Sequence, residues 1–112
     1  PTVPRSMVID ACHRYLAEAD LEDVSLQDMV EHSGVSDRTL RNIFHEIYGF
    51  GPARFLQLRQ LNRVYRDLKD ADPTCFGVTE ILTRHGVWNF NHFGRRYREL
   101  YGETPSGTLH SP

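Results

Sequence analysis

Apolar positions in this 112-residue chain recur at helical spacing, and no stretch alternates apolar and polar residues as a half-buried strand would. The spacing predicts a first helix from about Pro4 to Ala19, with Ile9, Cys12, Leu16 and Ala19 on one stripe and Met7 and Tyr15 beside it. Asp20-Leu21-Glu22-Asp23 breaks it. Ser25 is the expected N-cap of a short helix to about His32, with Asp28 three residues on and Leu26, Met29 and Val30 facing inward. Ser33-Gly34-Val35 is a turn in which Gly34 suits the left-handed position after a helix. Ser36 caps the next helix, which carries Leu40, Ile43, Phe44 and Ile47 on one face and stops at Gly49. Pro52 opens a long helix, as proline favours the first helical position. Phe55, Leu58, Leu61, Val64, Tyr65 and Leu68 form its apolar stripe; Arg54, Arg59, Arg63, Arg66 and Lys69 occupy its other face. Past Asp70-Ala71-Asp72-Pro73-Thr74 come a short helix from about Val78 to His85, a Gly86 turn, and a helix from about Asn89 to Tyr101. The residues after Pro105, rich in Ser, Gly and Pro, are expected to be loose. The fold class is all-α with about seven helices, each too short to stand without packing an apolar face.

The chain also repeats itself. LQDMVEHSGVSDRTLRNIFHEIYGFGP (Leu26 to Pro52) parallels VTEILTRHGVWNFNHFGRRYRELYGETP (Val78 to Pro105). Met29-Val30 pairs with Ile81-Leu82 and Gly34-Val35 with Gly86-Val87. Leu40, Phe44, Tyr48, Gly49 and Pro52 pair with Phe93, Tyr97, Tyr101, Gly102 and Pro105, after one extra residue just beyond the second turn. Each copy reads helix, glycine turn, helix, the helix-turn-helix arrangement in which the second helix enters the major groove of DNA. The organisation expected is a first helix-turn-helix subdomain over 1–50 (recognition helix about 36–48), a linker helix over 51–70, and a second subdomain over 71–112 (recognition helix about 89–101).

Charge complicates that picture and then supports it. The formal net charge is −2, whereas nucleic-acid binders are usually basic. The average hides a split: residues 1–34 hold two bases against seven acids, and residues 35–112 hold eleven bases against eight. All the bases but Lys69 are arginine, the side chain that forks onto phosphate or guanine. Cys12 and Cys75 stand alone, so neither a disulfide scaffold nor a structural zinc site is expected, and a cytoplasmic protein fits. No apolar run approaches the ~18 residues of a membrane span, and Pro1-Thr2-Val3-Pro4-Arg5 is not laid out as a signal peptide. A start without Met is expected of a piece of a longer chain.

Over roughly Met7 to Pro105 the sequence resembles the DNA-binding domain of AraC/XylS-type transcription regulators. The resemblance rests on SLQDMVEHSGVSDRTLRNIFHEIYGFGP, FLQLRQLNRVYRDL and VTEILTRHGVWNFNHFGRRYRELYGETP, with Phe93, Tyr97, Gly102 and Pro105 at the family's spacing. It implies two helix-turn-helix units docked in successive major grooves of double-stranded DNA. It also implies a regulator, often an activator contacting RNA polymerase, with a sensor or dimerisation domain N-terminal to this chain. Val30 and Leu82 stand where the family has Ala, Trp88 where a small polar cap is usual, and Gln60 where a linker Arg is common. The tail lacks the usual aromatic after Pro105.

On the first recognition helix the candidate DNA-binding residues are Ser36, Asp37, Arg38, Thr39, Arg41, Asn42 and His45. Positions 38, 41, 42 and 45 form one stripe opposite Leu40, Phe44 and Ile47. Arg can grip guanine and Asn adenine, each pair giving about 1–3 kcal/mol of discrimination. The resemblance places base contacts on Arg38, Arg41 and Asn42. On the second helix the candidates are Asn89, Phe90, Asn91, Gly94, Arg95 and Arg98. The resemblance puts Phe90 and Asn91 at base-reading positions, where Phe90 can touch a thymine methyl; the alternative for Phe90 is core packing. Gly94 costs about 1 kcal/mol relative to Ala inside a helix, a cost that either close approach to DNA or simple tolerance would explain. Arg95, Arg96 and Arg98 suit phosphates, as do Ser25 and Thr79 at helix starts. Trp88 is expected to pack against the turn, the alternative being an indole N–H that reaches a phosphate, and Arg59 and Arg63 are expected to form ion pairs.

No catalytic or metal chemistry is expected. His45-Glu46 begins like HExxH but Gly49 ends the match, and His85 with His92 lacks further ligands. There is no nucleophile elbow or phosphate loop, and no cofactor is implied. The alternative reading is a helical protein-interaction module, in which the acidic set Asp10, Glu18, Asp20, Glu22, Asp23 and Glu31 meets a basic partner.

Overall fold

The computed structural model describes residues 3–20 and 23–112, so Leu21 and Glu22 of the first expected break lie outside the described residues. Seven helices and no strand occupy the described part: α1 Arg5–Glu18, α2 Leu26–Ser33, α3 Asp37–Tyr48, α4 Pro52–Asp70, α5 Val78–Arg84, α6 Phe90–Tyr101 and α7 Pro105–Leu109. They form two units, Pro1–Gln57 and Leu58–Pro112, divided within α4.

The first unit buries Val8, Cys12, Tyr15 and Leu16 of α1 against Met29 of α2 and Leu40, Ile43 and Phe44 of α3. Fully burying a side chain of this kind contributes about 1.5–3 kcal/mol. The α1 stripe is turned by one residue from the expected one. Val8 is buried, whereas Met7 is exposed and Ile9 and Ala19 are only half-buried, because 8, 12, 15 and 16 are the positions that share the covered face. Burial pushes the Cys12 thiol pKa up, keeping it protonated. Ile47 also differs from expectation and is exposed. At that end of α3 the core is closed instead by Phe44 and Tyr48 packing on Phe55, with ring centres 5.2 and 5.1 Å apart. The loop before α2 is tied to α1 by the Ser25 N–H, which donates to the Tyr15 hydroxyl at 3.0 Å.

The second unit is built on the same pattern around Leu61, Val64 and Leu68 of α4, Ile81, Leu82 and Val87 of the α5 region, Phe93 and Tyr97 of α6, and Leu109 of α7. The repeated positions take equivalent places. Met29 and Ile81 are buried, as are Leu40 with Phe93 and Phe44 with Tyr97. Gly34 and Gly86 make the turns at φ 78° and 76°, a left-handed conformation that side-chain-bearing residues avoid. The expectation of a loose tail is overturned. Thr104 caps α7 by accepting from the Gly107 N–H at 3.0 Å, Pro105 fills its first turn, and Thr108 and Leu109 are buried. The Tyr97 hydroxyl donates to Thr108 Oγ1 at 2.6 Å, and Thr108 in turn donates to the Glu103 carboxylate. The physical reason lies in the repeat: Pro105 is the counterpart of Pro52, and both open a helix.

Candidate nucleic-acid interface

The exposed surface of the first helix-turn-helix is set by its cap. Ser36 Oγ accepts from the Thr39 N–H at 3.2 Å and donates to the Thr39 hydroxyl at 3.0 Å, fixing where α3 begins. Burial of Leu40, Ile43 and Phe44 then sets the helix's rotation. Ser36, Asp37, Arg38, Thr39, Arg41, Asn42 and His45 are all exposed, and 38, 41, 42 and 45 lie along one side. Asp37 and Arg41, one turn apart, form an ion pair at 3.4 Å with both side chains 58% exposed. Such a pair is worth little to stability, but it holds Arg41 toward the start of the helix. At the far end, Arg5 of α1 pairs with Glu46 at 2.7 Å.

In the second helix-turn-helix the cap is Asn89, whose Oδ1 accepts from the His92 N–H at 3.0 Å. Trp88 is therefore not the cap. It is the extra residue of the second copy, inserted between Val87 and the cap. Nor does it pack against the turn as expected: it is 82% exposed. The reason is that its neighbours take the available anchors, Val87 in the core and Asn89 at the helix start. Phe90, 40% exposed, stands outside the core, and Asn91, Arg95 and Arg98 are exposed with it. Gly94 and Arg96 are half-buried, so Arg96 is less available than its neighbours. A Cβ built on Gly94 would meet nothing within 4 Å, so packing inside the protein does not require glycine there.

Other candidate positions are otherwise engaged. Ser25 Oγ accepts from the Asp28 N–H at 3.1 Å as the α2 cap. His85 is buried, with Nε2 2.5 Å from Asp67 Oδ2 of α4. Gln60, in the place of the linker arginine, donates to the His85 carbonyl at 2.9 Å. Sequence reasoning missed this clamp. Its signal was the alignment of His85 with Ser33, a buried polar position in both copies. Among the described residues no three His, Cys, Asp or Glu side chains converge as a metal-holding group, and no helix is long and apolar enough to cross a membrane.

Two capped helices, each preceded by a short helix and a left-handed glycine turn, define a tandem helix-turn-helix domain of the DNA-binding class. The comparisons with known proteins agree. Residues 29–111 match the family of helix-turn-helix domains. The chain is 29% identical over 96 residues to the XylDLEGF operon transcriptional activator of Pseudomonas putida, covering 86% of this chain and 30% of that protein. It is 32% identical over 95 residues to a probable thc operon regulatory protein of Rhodococcus erythropolis, covering 85% and 29%. A crystal structure of a probable AraC family transcriptional regulator from Rhodopseudomonas palustris CGA009 superposes with a TM-score of 0.76 at 27% identity, over 91% of this chain and 94% of that one. The chain belongs to the AraC-type helix-turn-helix family, the DNA-binding domains of transcription regulators. It spans about a third of the length of these curated relatives.

Proposed function

We propose that each unit reads its own stretch of major groove on one duplex, α3 and α6 being the recognition helices and the two stretches lying one helical turn, roughly 34 Å, apart. The observation that carries this reading is the polar stripe Arg38, Arg41, Asn42 and His45, exposed opposite a buried apolar one on a helix whose start is capped. Arg38, Arg41 and Asn42 contact base edges, while Ser36, Asp37 and Thr39 set the helix entrance beside the phosphates. On α6, Phe90 and Asn91 face bases, Gly94 admits close approach of the groove, and Arg95 and Arg98 bind phosphates. Asn89 fixes where that helix starts. Subdomains 1–50 and 71–112 act through the bridging helix 51–70.

The relatives named above are an operon activator and an operon regulatory protein, and the same role is carried over here. The domain acts in the cytoplasm as the output part of an activator that contacts RNA polymerase, under a sensor or dimerisation domain elsewhere in the protein. It has no catalytic role and needs no cofactor. Selection of bound duplexes from a random pool tests this. A recurring bipartite sequence is expected, with affinity falling steeply as salt rises. Arg41→Ala should abolish base preference at one position, with a loss of about 1–3 kcal/mol on the selected duplex alone. Equal weakening on every sequence would instead make Arg41 a phosphate contact.

A further inference from the structure

Trp88 is the most exposed large apolar side chain among the described residues, at 82%, and it sits at the entrance of α6. Its two neighbours hold it there. Val87 is anchored in the core and Asn89 in the cap bond to His92, so the backbone on both sides of Trp88 is fixed while its ring projects outward. Neither Trp88 nor Phe90 makes a ring contact within the described residues. The residue has no counterpart in the first unit, where Val35 is followed directly by the cap Ser36. An indole left in water at the entrance of a recognition helix, with a second exposed ring two residues along the chain, is a candidate contact surface.

We infer that Trp88 is a sequence-reading residue whose ring covers the 5-methyl group of a thymine in the groove that α6 enters. The inference rests on the proposed role of α6 and deepens it. Phe90 and Asn91, which follow Trp88 at the start of α6, are exposed, as are Arg95 and Arg98 farther along the same helix. An occupant that covers Trp88 and runs along α6 also meets these arginines, which favours one that carries negative charge, as duplex DNA does. Thymine is the base whose major-groove edge carries an apolar group. Beside arginine–phosphate contacts that salt screens, an apolar contact with base identity adds discrimination that salt does not.

Trp88 is the single tryptophan of the chain, so its fluorescence reports on this residue alone. The experiment uses a labelled duplex selected from a random pool, with anisotropy to follow binding and acrylamide quenching to follow access to the ring. Trp88 should be strongly quenched in the free protein and protected in the saturated complex. Trp88→Ala should keep the urea midpoint of the wild type and lose about tenfold in affinity for the selected duplex. Replacing one thymine by deoxyuridine, which removes only the methyl, should cost the wild type about fourfold and the variant nothing. A saturated complex in which acrylamide still reaches Trp88 overturns the inference alone, as does a methyl deletion that costs both proteins equally at every position. An anisotropy signal that never rises removes the role of α6 as well. Loss of activation with DNA affinity intact in Trp88→Ala would assign the ring to a protein partner and overturn it too.

Discussion

The two turns are made by the same glycine geometry yet sealed differently. In the first unit the buried residue before the glycine is Ser33, whose hydroxyl donates to the Val30 carbonyl at 2.5 Å and accepts from the Val35 N–H at 3.3 Å. Every partner lies within three residues. In the second unit the equivalent residue is His85, held by Asp67 and by Gln60, which lie 18 and 25 residues away on α4. The buried polar side chain of the first turn is thus satisfied by its own segment, and that of the second by α4. The same contrast runs through the cores: Phe44 is wholly apolar, whereas its counterpart Tyr97 carries a hydroxyl that must find Thr108 on α7. A repeated backbone does not require repeated chemistry, because each buried polar group needs a partner and either a local or a distant one will serve.

The contrast can be broken most severely at His85. His85→Ala should destabilise the second unit by about 2–3 kcal/mol, since it removes a buried side chain together with its hydrogen bond to Asp67 and leaves a void. Ser33→Ala should cost the first unit only about 1 kcal/mol. Amide hydrogen exchange resolved by segment would show whether each loss stays in its own unit; equal losses would end the distinction between local and distant closure. Next in size is Phe44→Tyr, which buries a hydroxyl beside apolar neighbours and should cost about 2 kcal/mol in a urea melt. The reverse change, Tyr97→Phe, should cost about 1 kcal/mol by freeing the Thr108 end of the network.

Tyr97 also carries a pH signature. Burial pushes its pKa from the ordinary 10.0 up to about 12. Between those values the unfolded phenol ionises while the native one stays neutral, so the native state holds the extra proton. Stability from this group is complete below about pH 10 and is lost as pH rises to about 12. Urea midpoints across that window should fall for the wild type and fall less for Tyr97→Phe. The smallest effect is expected at Gly94. Gly94→Ala should raise stability by up to about 1 kcal/mol, because the added Cβ meets no protein atom. If the same variant binds the selected duplex less tightly, the glycine serves the groove rather than the helix.

Much of this is legible in the sequence. Ser25 and Ser36 declared two helix starts, Gly34, Gly49, Gly86 and Gly102 the ends of helical segments or turns, and the repeat paired the residues that occupy equivalent core positions. Composition misled at the tail, where Ser, Gly and Pro hid a capped helix that the pairing of Pro105 with Pro52 already indicated. Spacing misled at Met7 and Ile47, since an apolar residue at a helical interval is buried only where another element covers it. The exposed stripe of α3 was readable as the complement of its apolar face; the exposure of Trp88 was not, because an inserted residue has no position in the period.

Sequence alone established α1 to α6, the Ser25 and Ser36 caps and the twofold plan, because these depend on groups within a few residues of one another. Tertiary structure decided which stripe of α1 is covered, where His85 and the Tyr97 hydroxyl find their partners, and that Trp88 faces water. Those outcomes depend on side chains brought together by packing across long stretches of chain, and spacing along the sequence carries no record of that distance.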